Sequence, residues 1–147
     1  MKRNFLIIIL ILLVITIIAV YSVYTYRAQA EESQKVNKEY ESYYDINFLG
    51  TQLISIVNKT MDYNQKKDIA KDENNKYYID NEKDSIKIYV EFIYKDEIKT
   101  ILMEDIASSG PEAFVSQYST AKFRCTKIDY HEKTKNVKSL TFEEVQN

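Results

Sequence analysis

The sequence predicts an α+β protein carried on an N-terminal membrane helix, and three observations lead there. Phe5 to Val20, FLIIILILLVITIIAV, is apolar apart from Thr16, and no charge follows until Arg27. Leu53, Ile54, Val57 and Met61 recur at helical spacing in TQLISIVNKTMDYNQKK. SIKIYVEF alternates Ile86, Ile88, Val90 and Phe92 with polar neighbours, the period of a strand buried on one face. The expected arrangement is a transmembrane helix extended into a stalk, then a small domain with a four-stranded antiparallel sheet (two hairpins) packed against helices. In residue ranges this is a basic tail at 1–4, a transmembrane helix at 5–26, a helical stalk at 27–49 and an extracytoplasmic α+β domain at 50–147.

The first element has the length a membrane requires. Residues 5–26 form 22 uncharged positions, about 33 Å of helix against a hydrocarbon core of about 30 Å. Tyr21, Tyr24 and Tyr26 follow the apolar run, where amphipathic rings favour the headgroup layer, and Arg27 marks the return to water. These four are the expected membrane-interface residues. Ala28-Gln29-Ala30 has the small-x-small form that signal peptidase cuts after, but it lies ten residues beyond Val20, far from a short signal-peptide core. AQAEESQKVNKEYESYY contains neither Gly nor Pro, so the helix is expected to run on and shield Ala30. Retention as a signal anchor is the leading reading; secretion after cleavage at Ala30 is the alternative. Lys2 and Arg3 precede the segment and Arg27, Lys35 and Lys38 follow it, which nearly balances the positive-inside rule. The basic start immediately before the apolar core favours a cytoplasmic N-terminus.

After the stalk, Gly50 is expected to break the helix and Thr51 to cap the next one. Residues 64–84 are polar, with a hump at Tyr77 to Ile79 read as a short strand. The strand SIKIYVEFIY turns at Lys95-Asp96-Glu97 and returns as IKTILME. Ser109-Gly110-Pro111-Glu112 starts a helix, with Ser109 as cap, and turns Phe114, Val115 and Tyr118 inward. AKFRCTKIDY and VKSLTFEE flank HEKTKN as a last hairpin, with Leu140 and Phe142 inward. The apolar face of the first of these strands moves from Phe123/Cys125 to Ile128/Tyr130, an odd step that calls for a bulge near Thr126.

Composition excludes several chemistries. Of 20 Lys and Arg, two precede Arg27, leaving 18 against 22 acidic residues and a net −4 beyond the membrane segment; no nucleic acid is expected as a partner. One Cys rules out an intrachain disulfide or a Cys-based zinc site. Cys125 reads as a buried small hydrophobe. His131 is the single histidine and reads as an exposed turn residue without converging catalytic partners. Asp80, Glu82, Asp84 and Glu91 match positions 1, 3, 5 and 12 of a calcium loop. However, Ser85 replaces the turn glycine and a strand fills the second half, so a solvated turn is expected. Asn58-Lys59-Thr60 has sequon form inside a helix. Ser108-Ser109 lacks the glycines of a nucleophile elbow, and two glycines 60 residues apart build no phosphate loop. Tyr40, Tyr43, Tyr44, Tyr77, Tyr78, Tyr89 and Tyr94 could furnish a face for a protein or glycan, although Tyr and Lys abundance also follows from an AT-rich genome. No cofactor, metal or catalytic residue is expected.

The blocks LGTQLISIVNKTMDYNQK, YYIDNEKDSIKIYVEF and KFRCTKIDYHEKTKNVKSLTFE resemble a group of small, singly anchored membrane proteins of AT-rich Gram-positive (clostridial-type) bacteria. That resemblance implies no particular activity. In architecture the chain also resembles type IV pilins and pseudopilins, with Asn4 before Phe5 where prepilin processing needs Gly, and Ile9 where it needs Glu. The expectation is a non-enzymatic domain tethered to the cell membrane through residues 5–26, single-pass, serving as a protein-interaction or accessory subunit of an envelope or pilus-like assembly. The alternatives are a pilin-like subunit that forms a homo-oligomer through its apolar helix and a secreted or anchored ligand-binding domain.

Overall fold

The computed structural model describes residues 2–94 and 97–146, with the side chains of Lys2 and Arg3 excepted. The expected turn at Lys95-Asp96 lies outside them. Helix α1 runs Lys2–Glu41, and the chain divides into two compact units, Met1–Val36 and Asn37–Asn147. Within the first unit, the side chains from Phe5 to Val23 are exposed, and none of the apolar stretch is buried. One helix is therefore long and apolar enough to cross a membrane. Its hydroxyls are satisfied internally, Thr16 Oγ1 donating to the Leu12 carbonyl and Ser22 Oγ to that of Ile18, each at 2.8 Å. That pairing suits a segment with no water to bond.

The second unit is α+β. After the end of α1 come β1 (Asn47–Leu49), α2 (Gly50–Lys66), β2 (Lys87–Tyr94), β3 (Glu97–Leu102), α3 (Met103–Ser109), α4 (Pro111–Tyr118), β4 (Lys122–Tyr130) and β5 (Val137–Glu144). The sheet corrects the expectation of four antiparallel strands: it has five, in the order β1-β4-β5-β2-β3, and it is mixed. Both expected hairpins form, β2 with β3 and β4 with β5, but they join through a parallel pairing that sets Ile88 opposite Leu140 and Val90 opposite Phe142. Alternation in a sequence reports which face a residue takes, not which strand lies beside it. The strands with the most buried side chains, β2 and β5, take the centre, while β3, exposed at Glu97 to Thr100, forms an edge.

The bulge falls where the apolar face shifts, between Cys125 and Lys127. Local boundaries differ from expectation in five places. Helix α1 ends at Glu41, so the expected stalk 27–49 is helical only in part, and residues 47–49 pair with β4 as β1. Gly50 begins α2 instead of breaking a helix, and Thr51 falls in the first turn; the Leu49 N–H donates to Gln52 Oε1 at 2.8 Å. A Cβ at Gly50 would run into the carbonyl oxygen of Tyr118, so this residue sets how closely α2 approaches α4. The expected return strand IKTILME stops at Leu102 because Met103 and Ile106, one helical turn apart, are both buried by α3. Gly110, at φ 87°, separates α3 from α4 and takes the cap position expected of Ser109. The hump at Tyr77 to Ile79 forms only an isolated bridge, Tyr78 to Lys71.

The core lies between the helices and one face of the sheet. Leu53, Ile54, Ile56 and Val57 of α2 are buried, with Phe114 of α4 and Met103 and Ile106 of α3. The sheet contributes Ile88, Val90, Phe92, Phe123, Cys125, Leu140 and Phe142. Val115 and Tyr118 are half-buried. Two polar clamps fix the packing. Tyr40, 2 % exposed, pairs its hydroxyl with Thr60 Oγ1 at 2.9 Å. Asn64, fully buried, accepts from the Ile86 N–H at 2.9 Å and donates to the Ile86 carbonyl at 2.7 Å, locking α2 to the start of β2. Buried polar groups satisfied this way specify one arrangement where apolar contact would permit several.

Candidate functional site

Two turns distant in sequence meet in the second unit. The first, residues 80–86, is built on Asn81, whose Oδ1 accepts the N–H groups of Lys83, Asp84 and Ser85 at 2.8–3.0 Å. Local side-chain acceptance of this kind competes with regular structure and favours a turn. The second, residues 131–136, joins β4 to β5, with the Lys135 N–H donating to the His131 carbonyl at 3.0 Å. Between and beside them lies a cleft of about 660 Å³ lined by Asp80, Glu82, Asp129, Tyr130, His131, Glu132, Lys133 and Lys138.

His131 corrects its expected exposure: it is 2 % exposed, its ring tucked beneath the turn. Nε2 lies 2.8 Å from the Ser85 carbonyl, which can only accept, so Nε2 carries a proton. Nδ1 faces Asp80 Oδ1 at 3.6 Å. The charged context of HEKTKN signals a turn correctly, but the ring's burial depends on a turn 46 residues earlier, which local composition does not register.

Around His131 the two turns are pinned together. Asn136 Nδ2 donates to the Lys83 carbonyl at 3.0 Å and to Asp84 Oδ1 at 2.9 Å, and Thr134 Oγ1 donates to the Lys83 carbonyl at 2.8 Å. Lys133 meets Glu82 at 2.9 Å and Lys138 meets Asp80 at 2.6 Å. Asn37, from the last turns of α1, joins the same cluster, donating to the Lys135 carbonyl at 2.9 Å and accepting from the Val137 N–H at 2.8 Å. Partial burial pushes the Asp80 carboxyl up, but Lys138, the Glu82 N–H and the Ser85 hydroxyl outweigh it and hold it down at about 2. Glu82 is lowered by Lys133, and Lys138 is raised by Asp80.

This chemistry is a clasp. The carboxylates of Asp80 and Glu82 are each matched by a lysine, and the Asp129 carboxylate meets Lys127 at 2.9 Å. The imidazole is spent on a backbone carbonyl and shielded from solvent, so it offers a ligand no proton. The calcium-loop match does not converge either: Asp80 and Glu82 are ion-paired, Asp84 bonds Asn136, and Glu91 stands in β2. Among the described residues no group of three His, Cys, Asp or Glu is placed to hold a metal ion.

The other singled-out residues are scattered. Cys125 is fully buried, and burial pushes its thiol up to about 11. Thr60 of the sequon-like triplet is buried against Tyr40. Of the tyrosines, Tyr40 and Tyr78 are core, Tyr43, Tyr77 and Tyr89 are half-buried, and Tyr44 and Tyr94 are exposed. Tyr21, Tyr24 and Tyr26 are all exposed on α1. At about 100° per residue they spread around the helix, not along one face. Arg27 is exposed on the next position.

Glu104 drew no notice in the sequence. It is 2 % exposed in the first turn of α3, where Oε1 accepts the Tyr78 N–H at 3.1 Å and Oε2 has no hydrogen-bond partner. With Tyr77 Oη donating to Asp105 at 2.8 Å, it straps the loop before β2 onto α3. No family model, curated protein or solved structure matches the chain.

Proposed function

We propose that the chain is a single-pass membrane protein whose residues 37–147 form a non-enzymatic domain on the extracytoplasmic side and act by contact with other proteins. The observation that carries this reading is the unbroken exposed apolar surface of α1 from Phe5 to Val23. Left in water, such a surface is far larger than the apolar patches that soluble monomers tolerate; a bilayer accepts it. The belt of Tyr21, Tyr24 and Tyr26 fits the headgroup layer, and Lys2 and Arg3 fit a cytoplasmic N-terminus. Ala30 lies inside α1, and a helical backbone is a poor substrate for a peptidase that needs an extended chain; this favours an anchor over secretion. Internal pairing of the clasp's charges and burial of its histidine favour a structural role for that cleft, and hence a domain without catalysis.

A pilin-like subunit that associates through α1 is the second reading, favoured by the continuity of that helix to Glu41. The resemblance to small singly anchored clostridial-type proteins accords with either. Carbonate extraction of membranes followed by intact-mass measurement tests the anchor. Retention in the pellet with residues 5–30 present is expected; release of a chain beginning at Glu31 would overturn it.

A further inference from the structure

Strand β3 closes one edge of the sheet and leaves its outer side open, with Glu97, Ile98, Lys99 and Thr100 all exposed. Ile98 is 64 % exposed, and Ile93, its cross-strand neighbour on the same face of β2, is 37 % exposed. On the other face Glu97 and Lys99 stand two residues apart, and among the described residues neither has an ion-pair partner in its own chain. The Ile93 carbonyl accepts from the side chain of Gln146, two residues past the end of β5, and so turns away from β3. Ile93 and Ile98 are then a pair without mutual hydrogen bonds, which points the N–H and C=O of Ile98 outward from the edge.

We propose that β3 pairs with β3 of a second copy of this chain, antiparallel about a two-fold axis at Ile98, so that the two sheets continue as one. The inference rests on the reading of the domain as one that acts by protein contact, and it names the chain itself as the partner.

Charge selects the register. Two copies of one strand meet about a residue and never between two, because alternate residues alone turn their backbone groups outward. An axis at Glu97 or at Lys99 sets like charges directly opposite each other, which is destabilising. An axis at Thr100 sets Lys99 against Ile101 and Glu97 against Met103, where β3 has already given way to α3, and axes further on run deeper into that helix. The axis at Ile98 is the one that pairs Glu97 of each copy with Lys99 of the other, satisfying both charges twice over. On the opposite face it brings the two Ile98 side chains together with an Ile93 behind each, a row of four isoleucines across the seam. Charges on an edge keep unrelated strands away, and here the same two charges admit a strand of matching pattern. Where both copies are anchored in one membrane their effective concentration rises, which suits a pairing this short.

Disulfide trapping of the full chain in membranes tests this. In Ile98→Cys the two Cα atoms stand about 5.5 Å apart, as in any hydrogen-bonded antiparallel pair, within the span of a disulfide; Cys125 is buried and stays out of the reaction. A mild oxidant should convert this variant to a covalent dimer at least tenfold faster than Lys127→Cys on β4. Added to Ile98→Cys, either Glu97→Lys or Lys99→Glu should slow trapping at least fivefold. The two together should restore it to within twofold, which separates a lost pairing from a lost fold. In the unsubstituted chain, amide exchange at Ile98 should slow as protein density in vesicles rises. Trapping no faster than in Lys127→Cys, single charge variants that trap as well as their parent, a charge swap that restores nothing, faster trapping at Thr100→Cys, or exchange indifferent to density each overturns the pairing. A photocrosslinker at Ile98 that captures a different protein and no second copy also overturns it, while sparing the protein-contact reading.

Discussion

Tyr40 is where the last turns of α1 enter the core of the second unit, and two substitutions there separate its ring from its hydroxyl. The ring is 2 % exposed and meets Tyr43 edge-on with centroids 5.8 Å apart. Burial pushes the phenol up to about 12, so the hydroxyl stays protonated near neutrality and free to bond Thr60. In Tyr40→Phe, Thr60 keeps its own bond to the Ile56 carbonyl at 2.9 Å and is not stranded; the expected cost is about 1 kcal/mol. Tyr40→Ala also loses the buried ring and leaves a cavity, at about 3–5 kcal/mol. Against a stability of about 5–15 kcal/mol for a domain this size, that is a large share. Urea unfolding of the full chain in detergent micelles, with Tyr21, Tyr24 and Tyr26 of α1 replaced by Phe, lets tyrosine near-ultraviolet circular dichroism read the second unit without interference from micelle-bound helix. With a slope of about 2 kcal/mol per molar, the alanine variant should lower the midpoint by about 2 M and the phenylalanine variant by about 0.5 M. Equal, small shifts for both would refute the idea that residues 37–41 are held in the second unit through this ring.

Three further outcomes follow from the packing and the clasp. Gly50→Ala sets a methyl against the backbone carbonyl of Tyr118, which cannot rotate away; a loss of about 3 kcal/mol is expected in the same urea assay. Asp80 titrates at about 2 when folded against an ordinary 3.8, so its stabilising contribution is present above about pH 4 and fades as pH falls toward 2. Asp80→Asn should flatten the stability profile in that window, and an unchanged slope would remove the carboxylate from the clasp. The Cys125 thiol, buried and raised to about 11, should resist a disulfide-exchange reagent at pH 8 and react at the rate of unfolding once urea is added.

Much of the fold is legible locally. The stripe Leu53, Ile54, Val57 faces the core as its spacing requires, and the odd step between Cys125 and Ile128 becomes a bulge. Failures begin where partners are distant. Asn47 to Leu49 are too few to carry a period, and their pairing with β4 makes them a strand. Met103 and Ile106 continue an apolar run that suits a strand as well as a helix, and burial of both decides for α3. The parallel join of β2 to β5 has no local signature. In the candidate site, Asp80 and Asn81 announce a turn, but the burial of His131 comes from the meeting of two turns, and that of Glu104 from a loop folded over it.

The orientation of the chain in a membrane is the most direct test of the account. Cys125 is buried and silent, so single cysteines at Asn4→Cys and Ser108→Cys, both exposed positions, report the two sides of α1. Intact cells treated with a membrane-impermeant maleimide should label Ser108→Cys in the membrane fraction and leave Asn4→Cys unlabelled until permeabilisation. The reverse pattern, or a labelled protein recovered free of membrane, would contradict an extracytoplasmic domain held by a retained helix.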